Sequence, residues 1–408
     1  MTSKKVAIIG GGAAGIFCAI QCALLDSHCQ VHVFEKTMQP LSKVRISGGG
    51  RCNVTHHCFD PKRLSQNYPR GENILKKLFY HFHPEQLMEW FAERGVELKV
   101  EVDGRVFPVS NSSQTIISCF LEQAEKLGVK IHLGTEILDM VKGSDGIFTL
   151  SLKNGENLCF SHVVMATGGV AKAYSLIQRL GHKMVEPLPS LFTFQIHSPI
   201  LADLSGISLP VKLHVASVGE EEGPMLITHV GVSGPAVLRM SAWGARILAE
   251  VDYQFPLTVN WVPGLQEMQL REALLKEKSL SSTKTIVSTA LFSIPKNLWK
   301  KLVLAAGMDI ELLWAQLSHK QIHQLIQTLQ RTIFQVKGKS PFKEEFVTAG
   351  GVPWKEIDYK TMQSKLVPHL YFAGEVVNSD GITGGFNFQH AWTTAWVAAH
   401  AIGKDNTF

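Results

Sequence analysis

The sequence predicts an α/β protein built on a glycine-turned β–α–β unit, followed by a strand-rich region and then a helical one. Three observations predict it. VAIIG at 6–10 is a short apolar run of the kind buried in parallel sheets; it opens onto glycines, a helical run (IFCAIQCALL) and a second strand, VHVFE at 31–35. Residues 191–262 alternate apolar and polar side chains (LFTFQI, VKLHVASV, YQFPLTVNWV), which suits antiparallel strands. Helical stretches follow, such as MQLREALLKEK and KQIHQLIQTLQRTI, with no repeat or low-complexity tract between them.

In the first unit, Gly10, Gly12 and Gly15 form G-x-G-x-x-G between strand and helix. Gly10 permits the tight turn, Gly12 lets a pyrophosphate approach the backbone, and Gly15, after Ala14, lets the helix pack close to the strand. The helix start adds N–H donors and the positive end of its dipole. Glu35, followed by Lys36, stands 20 residues beyond Gly15, where a carboxylate can accept from ribose hydroxyls. The complete strand–turn–helix–strand–acid unit reads as a dinucleotide site. Cys18 and Cys22, one helical turn apart, are expected in the core.

The bulk composition excludes several classes. Apolar residues make up 45% and charged residues 18% of the 408, an ordinary globular balance. The formal charge of +5 permits a polyanionic partner without demanding one. Seven cysteines without framework spacing suit reduced thiols and a cytoplasmic location. The apolar run at 6–25 is interrupted by three consecutive glycines, as a strand-to-helix turn requires and a signal or membrane helix does not.

Two further stretches resemble flavoproteins and so point to FAD. HVVMATGG at 162–169 is a strand ending in Ala166-Thr167-Gly168. LYFAGEVVNSDGITGGFNFQHAW at 370–392 runs through Gly374-Glu375 to a Gly384-Gly385 turn and a helix beginning near Phe386-Asn387. The N-terminus of such a helix can stabilise negative charge on a reduced flavin ring.

With SGGGRCNVT (47–55), GRVFPVSNSS (104–113), MLITHVGVSGPAVLRMS (225–241), VTAGGV (347–352) and GGFNFQHAW (384–392), nearly the whole chain resembles the BaiN/RdsA family of FAD-dependent oxidoreductases. The resemblance implies a two-dinucleotide-type FAD-binding Rossmann-like domain (1–190 and 345–408). It also implies an inserted β-barrel-like domain (191–262 and 331–344) and a small helical insert (263–330). It implies a reaction class too: members reduce a ring uridine of large-subunit ribosomal RNA, or unsaturated bile-acid ketones. The sequence departs from the family at Ser42, His56, Asn378 and His390, and in a shortened loop after Gly169.

The glycine loop carries the chemistry questions. Ser47 to Asn53 is expected beside FAD, with Gly48, Gly49 and Gly50 letting backbone N–H groups approach. Lys43 or Arg45 can face phosphate, Arg51 can face phosphate or an anionic substrate, and Asn53 can bond the flavin edge. Cys52 has two readings: a thiol whose pKa Arg51 lowers, acting as acid or redox partner, or a small buried side chain. His229, before a Gly234-Pro235 helix start, is a candidate acid; His390 is a weaker one. Lys62, Arg63 and Arg70 are expected on a solvated loop. Cys52, His56, His57 and Cys58 lack the spacing of known zinc frameworks, so no metal is expected.

The reaction expected from the resemblance is reduction of a conjugated or ring C=C with electrons from NAD(P)H, the substrate being ribosomal RNA or a small molecule. An enone reductase, an amine oxidase and a flavin-holding redox sensor without turnover are the alternatives. Nothing in the sequence specifies the oligomeric state.

Overall fold

The computed structural model describes residues 4–339 and 347–405. The chain forms two compact units, Met1–Pro189 with Val347–Phe408, and Ser190–Phe346. The expected boundary at 344–345 lies outside the described residues.

The first unit is organised by a seven-stranded sheet. Its order is Ile357–Asp358, Gln363–Ser364, Leu370–Phe372, His162–Met165, Lys5–Ile9, Gln30–Phe34 and Lys130–His132. The last five are parallel, with Ile9 in register with Met165 on one side and Phe34 on the other. Lys5–Ile9 is central, and Val6, Ala7 and Ile8 are fully buried, which explains a run apolar on both faces.

The helix Ala13–Leu25 packs against the C-terminal helix Phe386–Lys404. Both are rich in alanine, so their axes approach closely. Cys18 and Cys22 are buried there, as expected. The chain ends therefore meet in one layer, which brings the N-terminal glycine turn beside the C-terminal flavin segment. No helix among the described residues is long and apolar enough to cross a membrane.

Among the described residues the second unit holds a six-stranded antiparallel sheet and four α-helices. The sheet runs Phe194–Gln195, Gly231–Ser233, Gly219–Thr228, Ser208–Val215, Gln254–Asn260 and Thr332–Lys337. The Gln195 N–H donates to the Gly338 carbonyl at 2.8 Å, so the first and last strands meet and nearly close a barrel. Alternation is strict in Thr332–Lys337, where every second side chain is buried.

The helices Glu267–Leu280, Lys296–Ala305 and His319–Gln330 share one apolar core with this sheet. The helical reading of KQIHQLIQTLQRTI overshot: the helix ends at Gln330, and Thr332-Ile333 begin the closing strand. Two β-branched residues there favour extended backbone. Gly234-Pro235 does open a helix, Pro235–Glu250, with Gly234 at φ +93° and proline at its first position.

Candidate functional site

The strand Lys5–Ile9 ends at a turn whose three glycines have different neighbours. Gly10 adopts φ +111°, and its N–H donates to the Phe34 carbonyl at 2.9 Å. A Cβ on Gly15 would lie 1.9 Å from the Gly10 carbonyl oxygen, so glycine alone lets the helix sit this close. A Cβ on Gly12 would meet nothing within 4 Å. Gly12 thus leaves its space to a group outside the chain, beside the free N–H groups of the Ala13–Leu25 helix start. Glu35 closes the turn: Oε2 accepts from the Gly11 N–H at 2.8 Å, and Oε1 accepts from the Thr37 N–H and hydroxyl, both at 2.8 Å. Lys36 is exposed next to it.

The glycine loop follows a helical turn that breaks at Ser47, whose ψ is +149°. Gly48, Gly49 and Gly50 then take φ of +57°, +70° and +82°. Gly48 is packed, since a Cβ there would lie 2.9 Å from the Phe107 ring; Gly49 and Gly50 face open space. Cys52 itself is left-handed at φ +61°, and its N–H donates to the Ser47 carbonyl at 3.0 Å. The Ser47 hydroxyl donates to the Val44 carbonyl at 3.0 Å.

The polar side chains of this loop are engaged within the protein. Arg51 does not lower the Cys52 pKa. Its Nη1 pairs with Glu101 Oε1 at 2.6 Å and its guanidinium lies 3.9 Å over the Phe107 ring. Cys52 is fully buried, and burial pushes its pKa up to about 12, with a Ser47 hydrogen bond opposing weakly. The Asn53 amide, oriented to suit its neighbours, is spent on the protein. Its nitrogen donates to the Thr55 carbonyl at 2.9 Å and the Val106 carbonyl at 3.2 Å, and its oxygen accepts from the Gly385 N–H at 2.9 Å. Asn53 therefore ties the loop to the start of the last helix. Lys43 pairs with Glu375 Oε2 at 2.6 Å, and Arg45 Nη1 donates to Gln114 Oε1 at 2.9 Å.

The C-terminal half of the site converges on the same place. The strand His162–Met165 leads into Thr167, whose buried hydroxyl has no partner among the described residues, and Gly168 at φ +64°. Glu375 lies 3.5 Å from a Cβ built on Gly168, and its Oε1 accepts from the Thr348 N–H at 2.7 Å. Gly374, at φ +74°, lies so close to the first helix that a Cβ would be 2.8 Å from that of Ala14. Its N–H donates to the Thr394 hydroxyl at 2.9 Å. Asn378 keeps a buried amide oxygen without a partner among the described residues.

Gly384 and Gly385 take φ of +130° and +93° and start the last helix; a Cβ on Gly385 would strike the Thr55 carbonyl at 2.4 Å. Phe386 is buried under His56, rings 4.7 Å apart. Asn387 grips the Gly381 peptide, accepting from its N–H and donating to its carbonyl, each at 2.8 Å.

Some partners escaped sequence reasoning. Arg70 is not on a solvated face: it makes a two-pronged ion pair with Asp380, whose side chain is fully buried. Thr394, Thr348, Glu101 and Tyr68, whose hydroxyl donates to the Phe386 carbonyl at 2.7 Å, carry no local signal; only long-range contact reveals them. His390 is buried with an unpartnered Nε2, and burial lowers its pKa to about 4, against the pull of Glu375. Burial thus favours its neutral form. Trp392 is core, its indole N–H donating to the Val54 carbonyl at 3.0 Å. His229 is an exposed turn residue of the second unit. His57 packs edge-on against Phe59, and the Cys52, His56, His57 and Cys58 side chains do not form a ligand group among the described residues.

This donor set fits FAD. Open backbone at Gly12, Gly49 and Gly50, two helix N-termini, Glu35 at the ribose position and unpartnered Thr167 and Asn378 oxygens suit a long polar dinucleotide. The profile of the HI0933-like protein Rossmann domain matches residues 4–401. A protein named ribosomal RNA dihydrouridine synthase, from Escherichia coli (strain K12), is 30% identical over 97% of both chains. One named 3-dehydro-bile acid delta(4,6)-reductase, from Clostridium scindens, is 27% identical over 98% of this chain and 99% of its own. In fold, the chain resembles a 3-ketosteroid-delta4-(5alpha)-dehydrogenase from Rhodococcus jostii RHA1, with a TM-score of 0.52 and 13% identity over 98% and 97% of the two chains. The chain belongs to the HI0933-like Rossmann family and is an FAD-dependent oxidoreductase.

Proposed function

We propose that this protein reduces a carbon–carbon double bond activated by a neighbouring carbonyl, with electrons from NAD(P)H, and that its substrate is a uridine of large-subunit ribosomal RNA. The supporting observation is end-to-end similarity to the Escherichia coli ribosomal RNA dihydrouridine synthase. Bound FAD supplies two-electron hydride chemistry. The protein's part is to hold and shield. Gly12 and the first-turn N–H groups would take the pyrophosphate, Glu35 a ribose hydroxyl, and Thr167 and Asn378 other polar atoms of the cofactor. The N-terminus of Phe386–Lys404 favours negative charge placed against it.

Proton delivery falls to exposed groups in this reading. Cys52 keeps its proton through the neutral range and acts as packing. Arg51, half-exposed and oriented by Glu101, is proposed to meet an anionic substrate, and His229 to supply the proton. Action on RNA places the enzyme in the cytoplasm. A small-molecule enone reductase is the second reading, supported by the Clostridium scindens relative.

Nucleoside mass spectrometry of ribosomal RNA from cells with and without the gene tests the proposal. Dihydrouridine should disappear from large-subunit RNA without the gene and return with the intact gene, but not with a Gly12→Leu version. Unchanged dihydrouridine would reject RNA as substrate and favour unsaturated ketones.

A further inference from the structure

A second group of chemically capable side chains lies at the opposite end of the same strands. His162 opens the strand His162–Met165, and His369 immediately precedes its parallel neighbour Leu370–Phe372. The flavin-type glycines follow the other end of these strands, at Gly168 and Gly374. Asp405 comes directly after the C-terminal helix. Three segments far apart in sequence thus meet at the amino edge of the sheet.

The contacts are specific. Asp405 Oδ2 lies 3.2 Å from His162 Nε2 and 2.9 Å from His369 Nδ1. All three donor atoms lie within 4.8 Å of one another. Around a tetrahedral zinc ion with bonds of about 2.0–2.1 Å, neighbouring donors stand about 3.3 Å apart. The two separations from Asp405 are close to that spacing already, and the histidine pair lies within 4.8 Å. His162 is fully buried, and its other ring nitrogen, Nδ1, lies 2.9 Å from the Ser161 hydroxyl. Ser161 is fixed in turn, since its oxygen accepts from the Lys5 N–H and donates to the Lys5 carbonyl, each at 3.0 Å. A ligating histidine is commonly oriented by an acceptor held at its distal nitrogen, and the Ser161 oxygen stands at that position here.

We propose that His162, His369 and Asp405 form a binding site for a divalent transition metal of the zinc class. Two imidazoles and one carboxylate suit such borderline ions better than magnesium or calcium, which prefer all-oxygen sites. In the bound form each neutral imidazole coordinates through the nitrogen that now faces Asp405. Its single N–H then sits on the other ring nitrogen, which for His162 means donation to Ser161. The bond order and oxidation state of every group stay unchanged. The ion would clamp the end of the C-terminal helix to the sheet, and because Gly385 caps the other end of that helix, it would brace the flavin side of the site from behind. The proposal is independent of the reaction proposed above.

The test uses the full-length, FAD-loaded protein, stripped with chelator and dialysed. Zinc chloride is titrated at pH 7.5 by calorimetry, bound metal is counted by mass spectrometry, and the thermal midpoint is read with and without zinc. The expected result is one zinc per chain and a raised midpoint. At least tenfold weaker binding is expected in both His369→Ala and Asp405→Asn, with full binding in His323→Ala, an exposed histidine of the other unit. Flavin content, read by absorbance, reports whether each variant is folded. The wild-type titration decides by itself should a variant fail to fold. No stoichiometric zinc in the wild type, or binding that survives in both folded variants, would overturn the site and leave a hydrogen-bonded cluster.

Discussion

Two glycine-rich turns of the molecule use glycine differently. At 10–15, two of the three motif glycines are demanded by the protein itself: Gly10 by its left-handed backbone and Gly15 by a carbonyl that would lie 1.9 Å from a Cβ. Only Gly12 is left open for something else. In the loop at 48–50 the balance reverses. All three glycines are left-handed, but two of them face open space, and the loop's shape is held from outside by Asn53, Phe107 and the Gly385 N–H. The first turn is a local device of strand and helix. The second is a surface laid against the end of a helix more than 300 residues away, so its stability depends on tertiary contacts.

Four substitutions sharpen this contrast, from the largest expected effect to the smallest. Gly15→Val should cost about 3 kcal/mol or more of stability, because backbone must move against backbone. Urea unfolding monitored by circular dichroism would measure it, and a loss under 1 kcal/mol would break the packing argument. Gly12→Leu should leave the fold within about 0.5 kcal/mol of the parent, as an open position allows. It should weaken FAD binding roughly a hundredfold, or about 2.8 kcal/mol. Stoichiometric flavin in purified Gly12→Leu would contradict the placement of the dinucleotide.

Asn53→Ala should cost about 1–3 kcal/mol, since buried partners at Thr55, Val106 and Gly385 lose their hydrogen bonds together. Its signature would be loosened exchange of the Gly385 amide hydrogen. Cys52→Ala should be the mildest, at about 1 kcal/mol, with turnover unchanged. In the wild type, a thiol reagent at pH 8 should label exposed Cys159 quickly and Cys52 only on unfolding. The pH dependence has a definite sign. The folded pKa of Cys52 is raised to about 12 from an unfolded value near 9, so its contribution is whole below pH 9 and is lost as pH climbs from 9 toward 12. The Ala variant should lack that share of the alkaline loss. Rapid labelling of Cys52, or a collapse of turnover in Cys52→Ala, would restore the reactive-thiol reading.

Legibility in the sequence followed the range of the interaction. The β–α–β unit was readable because strand, glycines, helix and acid lie within 35 residues and each answers a local demand. The helix start at Gly234-Pro235 was readable for the same reason. The overshoot into Thr332-Ile333 came from judging by helical periodicity where the closing strand's pairing decides. Arg70 looked like a loop cation because Asp380 stands 310 positions away. Arg51 looked like a neighbour of Cys52 because the two adjoin in sequence, whereas the backbone reverses between them and sends the guanidinium to Glu101.

By itself, then, the sequence determined the class of the protein, the glycine turn at the end of the first strand, and the family to which the chain belongs. Periodicity and glycine spacing encode those things locally. Only the tertiary structure decided which polar groups near that site are already committed to protein partners and which, like Thr167 and Asn378, keep a buried oxygen without one among the described residues. It alone assembled His162, His369 and Asp405, whose separations of 207 and 36 positions match no ligand spacing a reader would test. The physical reason is the same in both cases: a hydrogen bond or a metal bond is set by distance in space, and in a sheet whose strands come from both chain ends, distance in sequence says little about it.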